Sequence, residues 1–359
     1  MQLEFKIGQR LSFTTNSALY NDIYESEIVG IFPDRIELAI ALHKGYLLLI
    51  PIGTQIKWLN PALENYCSET VSRTPAQQSW SVTIPKLIQR ERKSRVIAVG
   101  SGKGGVGKTS FSINLALAFA KLGLRTVVLD ADVGMANVEV LLKLNNAKNL
   151  TNVINGDCTL MDILTQGPGG IKVLPGSSGI SSLTNLNALQ FNRIFSGFVS
   201  LENQCDILII DTGAGISELV LKFLESADNL LLITTTEPHA MMDTYSLTKA
   251  LAYRNQEIQP NLIFNRCDSE HEAMKCYEIF HQASSKFLKL KPELLGWIIE
   301  DKRVTKSLKS QEPILLTNPT AEYSQQAFQI ANRLLGNKVT LEKPTGIRSF
   351  INKIKKNFI

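Results

Sequence analysis

The 359-residue chain is poor in cysteine, with five thiols at Cys67, Cys158, Cys205, Cys267 and Cys276 and no CxxC pair. An odd, scattered set does not build a disulfide framework, and reduced thiols in a cytosol are expected. Long apolar runs are missing too. The longest resemble Leu115–Ala120, far short of the roughly 18 residues of a membrane-spanning helix. The opening MQLEFKIGQR sets charges inside any hydrophobic signal core, so no secretory leader is read there. A soluble intracellular protein is the expectation. One-sided charge is also scarce: the net charge is +5, yet residues 96–337 carry 21 basic and 23 acidic groups. A near-neutral body argues against specific nucleic-acid binding. The excess sits in residues 61–95 and in residues 338–359, where 6 basic groups face 1 acid, which points to a local anionic partner. No internal repeat is visible.

The remaining composition, 44% hydrophobic and 20% charged, is globular. Residues 1–60 read as short strands, LEFKIG, ESEIVGIF, RIELAIAL, YLLLIPI and QIKWL. Turn signals at Pro33-Asp34, His43 to Gly45 and Gly53-Thr54 separate them. A small antiparallel barrel is the natural closure. Residues 61–94 turn polar and read as a linker. From Arg95 to residue 337, continuous apolar strands (VIAVG, TVVLDAD, IKVLPG, DILIIDTG, NLLLITTT, NLIFNRC and ELLGWII) alternate with helical stretches. That pattern predicts an α/β unit, a mostly parallel sheet with helices on both faces.

The first of these strands runs into a glycine-rich turn, Gly102-Lys103-Gly104-Gly105-Val106-Gly107-Lys108-Thr109-Ser110, and then a helix. This is G-x-x-x-x-G-K-[ST] in its confirming strand–turn–helix context. The glycines let backbone N–H groups converge on phosphate oxygens, and the helix N-terminus adds positive potential. Lys108 is placed to reach the β- and γ-phosphates of ATP, and the Thr109 hydroxyl to ligate Mg²⁺. Two more strands end in carboxylates, Asp130 with Asp132 and then Asp211, at the sheet edge where such folds bind ligands.

With its extra Lys103, the KGGVGKT loop resembles the deviant Walker A of the MinD/ParA ATPases. The resemblance covers about residues 95–337. It implies that Lys103 reaches across an ATP-sandwiched homodimer to the partner's nucleotide and that Asp132 serves hydrolysis. It also implies that Asp211 holds Mg²⁺ through water and that Asn265 and Arg266 contact adenine. Within the group, DADVGMANVEVLL, DTGAGIS and TTTEPHAMMDTYSLTKAL look like the flagellar-number regulators FlhG, also called FleN or YlxH. MinD more usually has an arginine after the first aspartate loop and a proline in the Asp211 switch. ParA binds DNA through a basic body, and the iron–sulfur relatives need paired cysteines. Residues 1–60 are similar, through IGQRL, IELAIAL and PIGTQIKW, to the N-terminal domain of YcgR-type flagellar brakes; a generic small barrel is the alternative. The brakes bind cyclic-di-GMP through R-x-x-x-R, a spacing that Gln89 to Arg95 does not keep. The D-Q-A-x-x-L-R segment that activates the GTPase FlhF is absent, though flagellar assembly proteins such as FlhF stay candidate partners. The resemblance thus implies a slow, partner-stimulated ATPase that acts as a dimerising switch controlling flagellar number or placement. MinD-like septum placement and ParA-like cargo positioning are the alternatives. A non-catalytic nucleotide-binding module is a third, of a different class.

The tail closes the sequence. Ile347, Phe350, Ile351, Ile354 and Phe358 recur at helical spacing and fall within an arc of about 100°. Arg348, Lys353, Lys355 and Lys356 lie outside that stripe, and no acid is present. Large apolar residues on one side with cations around them describe an interfacial helix on an anionic membrane, as in MinD. The predicted location is therefore cytoplasmic and reversibly peripheral at the inner face of the cell membrane. The same stripe would also serve a last core helix packed on the body.

Overall fold

The computed structural model describes residues 5–15, 22–40, 42–43, 46–47, 50, 52–60, 66–74, 79–83, 86–87, 94–132, 137–145, 148–176, 187–202, 204–336 and 346–358. The chain divides into two compact units, Met1–Arg92 and Lys93–Ile359.

The first unit is all β. Its strands are β1 (Arg10–Thr15), β2 (Tyr24–Ile31), β3 (Arg35–Ala39), a short β4 (Leu42–His43) and β5 (Tyr46–Leu47) pair, β6 (Gln55–Trp58), β7 (Tyr66–Thr74), β8 (Ser79–Thr83) and β9 (Lys86–Leu87). Six of them close antiparallel in the order β6-β1-β2-β3-β8-β7, with β7 returning to β6 and β9 added on β7. Alternate residues turn inward, so Leu11, Phe13, Ile36, Leu38, Ile56 and Val82 fill the barrel. Phe13 lies at its centre, with ring centroids 5.6 Å from Tyr24, 5.9 Å from Trp58 and 5.4 Å from Trp80.

Two expectations need correction here. The first strand among the described residues is Arg10–Thr15, and Phe5 to Gly8 of LEFKIG are not strand, while Leu3 and Glu4 lie outside the described residues. The segment read as a linker holds β7 and β8, which complete the barrel. Its polar composition misleads because small hydroxyl residues serve as interior positions. Ser68, Thr70 and Ser81 are buried, Trp58 Nε1 donates to Ser68 Oγ at 3.0 Å, and Thr54 N–H donates to Thr70 Oγ1 at 2.9 Å.

The second unit begins with β10 (Arg95–Ser101), α1 (Lys108–Lys121), β11 (Thr126–Ala131), α2 (Asn137–Leu141), α3 (Leu150–Asn155), β12 (Thr165–Gln166) and β13 (Lys172–Leu174). It continues through α4 (Ala188–Glu202), β14 (Ile207–Ala214), α5 (Glu218–Ser226), β15 (Asn229–Thr235), α6 (Pro238–Arg254), β16 (Pro260–Cys267), α7 (Glu270–Leu288) and β17 (Glu293–Ile299). The last helices are α8 (Lys302–Ser310), α9 (Ile314–Thr317), α10 (Glu322–Gly336) and α11 (Ile347–Phe358). The sheet order is β12-β13-β11-β14-β10-β15-β16-β17, parallel throughout except for the edge strand β12. Strands such as β11 and β15 are buried on both faces, as a covered parallel sheet requires. One apolar core lies under α1, α9 and α10, the other under α4, α5, α7 and α11.

The tail also departs from expectation. Ile347, Phe350, Ile351 and Ile354 form the predicted stripe, but all four are buried in the core shared with α4 and α5. The Phe350 ring stacks on Phe223 of α5 at 6.2 Å. Gly346 N–H donates to Asp228 Oδ2 at 3.0 Å and Lys353 Nζ to the Ser226 carbonyl at 3.3 Å, and Arg348 pairs with Glu202 at 2.6 Å. The groove supplies both apolar surface and acceptors, so it satisfies the stripe that a membrane would otherwise take. Phe358 lies outside the described side chains, as do Lys355 and Lys356. Among the described residues no helix is long and apolar enough to cross a membrane.

The separate barrel core sets an expectation. Trp58→Ala removes a buried indole and should cost the barrel about 3–5 kcal/mol. Calorimetry of the full chain should show one melting transition falling while that of the second unit holds. Equal shifts of both would mean that the cores are not independent.

Candidate functional site

The loop between β10 and α1 sits where five parallel strands end, and each of those strands contributes to the site. Asp211, on the central β14, is fully buried. Its carboxylate accepts from three groups on the first turns of α1: Lys108 Nζ at 3.3 Å, Thr109 Oγ1 at 2.7 Å and Ser112 Oγ at 2.7 Å. A buried carboxylate needs such donors, and Lys108, itself buried, balances its charge.

On the neighbouring strand β11, Asp130 stands in register with Asp211. It accepts from the N–H groups of Asp132 at 3.2 Å and Val138 at 3.1 Å. Burial, and then the nearby Asp211 charge, push the Asp130 carboxyl up to about 7. Its role in this structure is to hold the start of α2. Asp132 is half-exposed, accepts from Asn137 Nδ2 at 3.0 Å, and lies beside Gly213 of the β14 turn. The residue after β14 is tied to the end of β10, just before the phosphate loop, with Gly215 N–H donating to the Ser101 carbonyl at 2.9 Å.

Two glycines of the loop have structural reasons. Gly107 caps α1 in the left-handed region at φ 92°, where a side chain is strained. Gly102 presses so closely on α6 that a Cβ would lie 2.1 Å from the Asp243 carbonyl carbon. Asn265, at the end of β16, is buried and donates Nδ2 to the Val106 carbonyl at 2.7 Å, so it pins the loop. Arg266 follows with φ 57° and is exposed. Lys103, 43% exposed, pairs with Glu237 after β15 at 3.5 Å.

The expected residues therefore converge, apart from the tail. Three partners escaped the sequence reading: Ser112, Glu237 and Asn137. Ser112 lies four residues after Lys108 on the same helix face, and Glu237 lies just past a strand end beside the others; both positions carried a signal. The donor set also fits a divalent cation. The Thr109 hydroxyl and the Asp211 carboxylate are hard oxygens in contact, the chemistry Mg²⁺ takes.

Comparisons with known proteins give the chain its relatives. A model of the family described as "AAA domain" matches residues 94–264. The chain is 36% identical over 240 residues to the antiactivator FleN of Pseudomonas aeruginosa, covering 67% of this chain and 86% of that one. It is 30% identical to the flagellum site-determining protein YlxH of Helicobacter pylori, covering 73% and 90%. Among solved structures, the septum site-determining protein MinD of Pyrococcus horikoshii, complexed with Mg-ADP, superposes with a TM-score of 0.55 at 23% identity, covering 67% and 96%.

Gly102→Ala tests the loop's geometry. The added methyl group must push the loop off α6, so ATP affinity in calorimetry should fall by at least about tenfold, roughly 1.4 kcal/mol. Unchanged affinity would show that the loop does not need this approach.

Proposed function

The chain belongs to the MinD/ParA family of Walker-type ATPases and is related to the FleN and YlxH flagellar regulators, and from that premise we propose that it is an ATP-driven dimerising switch that controls flagellar number or placement. The observation that carries this reading is the pairing of a buried Lys108–Thr109–Asp211 cluster with a second, half-exposed loop lysine, Lys103. A single nucleotide-holding site needs only the first. The second suits a cation delivered to another subunit's phosphates, as an arginine finger is. Ile216, 57% exposed, and Met242, 63% exposed, follow the Asp211 switch and Glu237 in the chain and give a second copy apolar surface to bury.

In this reading Lys108 and the loop amides hold the β- and γ-phosphates, and Thr109 and Asp211 hold Mg²⁺, which neutralises phosphate charge when bound. Asp132 orients the attacking water, with Asn137 fixing its carboxylate. Lys103 leaves Glu237 to stabilise charge developing on the partner's γ-phosphate. Asn265, through the loop it pins, and Arg266 line the adenine end.

Membrane contact requires a change in the tail. With its apolar stripe buried, α11 reaches a bilayer only after leaving its groove. The route is short: the Asp211 switch leads directly into α5, and α5 carries the Phe223 ring on which Phe350 rests. Two released helices on one dimer bind together by effective concentration, and each cation adds about 1 kcal/mol near an anionic leaflet.

Lys108→Ala should lower ATP affinity by on the order of a hundredfold, the worth of charge-assisted bonds to phosphate. Lys103→Ala should bind ATP like the parent but stay monomeric in gel filtration and lack turnover, and Asp132→Ala should persist as a dimer in ATP. A Lys103→Ala protein that dimerises and hydrolyses normally overturns the switch and leaves a passive nucleotide module. Deletion of the gene should alter flagellar counts; normal flagella with misplaced septa would favour the MinD-like role.

A separate prediction concerns vesicles. The Asp132→Ala protein should sediment with anionic vesicles in ATP, but neither in ADP nor with neutral vesicles. Equal sedimentation in both nucleotides contradicts nucleotide-controlled release.

A further inference from the structure

Among the described residues, strand β17 is the outer strand of the large sheet and pairs only with β16. An outer strand presents unpaired N–H and C=O groups to its surroundings. Here side chains of α10 reach round to two of them. Arg333 Nη1 donates to the Leu295 carbonyl at 2.7 Å, and the Ile299 N–H donates to Gln326 Oε1 at 2.9 Å. By the two-residue period of a strand, Trp297, midway between, turns its own N–H and C=O the same way.

That stretch opens into a cavity of about 440 Å³ between α10, β17 and the start of α7. Gln325 and Gln329 line it from α10, and their amides carry the same donor and acceptor pair as a peptide group. The half-buried Trp297 ring, with Arg333 5.8 Å from its centroid, closes one end. Asp268, Glu270 and Glu322 gather at the other, all exposed, and no ion pair is recorded for them among the described residues. From Leu295 to Ile299 the edge runs four residue steps, about 13 Å.

We propose that this edge is a docking groove for an extended segment of a partner protein, roughly four or five residues long. Its backbone pairs with Trp297 and with the Gln325 and Gln329 amides, and a lysine or arginine of the segment meets the Asp268–Glu270–Glu322 end. The edge supplies main-chain pairing, the mode by which sheet edges take up peptides. The three carboxylates set the sign of the partner and repel phosphate ligands. The groove shares no residue with the phosphate cluster.

Hydrogen–deuterium exchange of the full chain tests this with four synthetic peptides. Two carry lysine at one end, acetyl-Lys-Thr-Val-Thr-Val-amide and acetyl-Val-Thr-Val-Thr-Lys-amide; two controls carry glutamate instead. One lysine peptide should slow exchange over residues 295–299 by about fivefold or more, and which one does so gives the strand direction. Gln329→Arg, which fills the groove with a cation, should abolish the effect with melting and ATP binding unchanged. Gln329→Ala should weaken it, which keeps the test valid if the arginine variant folds poorly. The proposal is overturned if neither lysine peptide slows exchange there, or if the glutamate peptides do so equally. Slowing that grows with protein concentration alone would assign the edge to a second copy of the chain, and would also overturn it.

Discussion

A carboxylate with no access to water sits at the centre of the large sheet, and the geometry of the site follows from how its charge is met. Asp211 lies on a strand flanked on both sides by parallel strands, where solvent cannot stabilise an ion. Lys108, Thr109 and Ser112 supply the compensation, and all three come from the first turns of α1. Their bonds fasten the helix N-terminus over the strand end and so fix the loop between them. Asn265 fastens the same loop from the other side through the Val106 carbonyl. Removing one partner of such a buried pair typically costs about 3–5 kcal/mol, which makes this cluster a structural constraint as well as a chemical one. Asp130, one strand away, is itself buried and then faces the Asp211 charge, so its proton affinity rises.

The large sheet was legible because its strands are continuous apolar runs bounded by turn residues. All seven strand segments read from sequence in this unit fall on strands of the sheet. Only the two-residue β12 escaped, being too short to carry a pattern. The phosphate loop was legible for a different reason: its spacing encodes backbone geometry. The barrel was half legible. Hydrophobic alternation marked β2, β3 and β6, but β7 and β8 bury serine and threonine, which composition cannot distinguish from a loop. A partner such as Asn137, which holds the Asp132 carboxylate, depends on how a loop folds back in space, and a lone sequence leaves that open.

The C-terminal helix shows a deeper limit of pattern reading. An apolar stripe with cations around it specifies what the helix must bury, and leaves open what it buries it against. Here the groove of α4 and α5 takes the stripe, while Glu202 and the Ser226 carbonyl meet two of the cations. Because α5 starts at the switch that follows Asp211, the groove and the nucleotide cluster share one element. An element common to two sites is the physical connection that coupling between them requires.

We propose that nucleotide bound at the phosphate loop decides whether α11 stays docked. Hydrogen–deuterium exchange over residues 347–354, compared in ATP and in ADP for the Asp132→Ala chain without membranes, tests it most directly. The account predicts fast exchange of α11 in ATP and slow exchange in ADP, with β14 protected in both. Equal protection of α11 in the two nucleotides would contradict it.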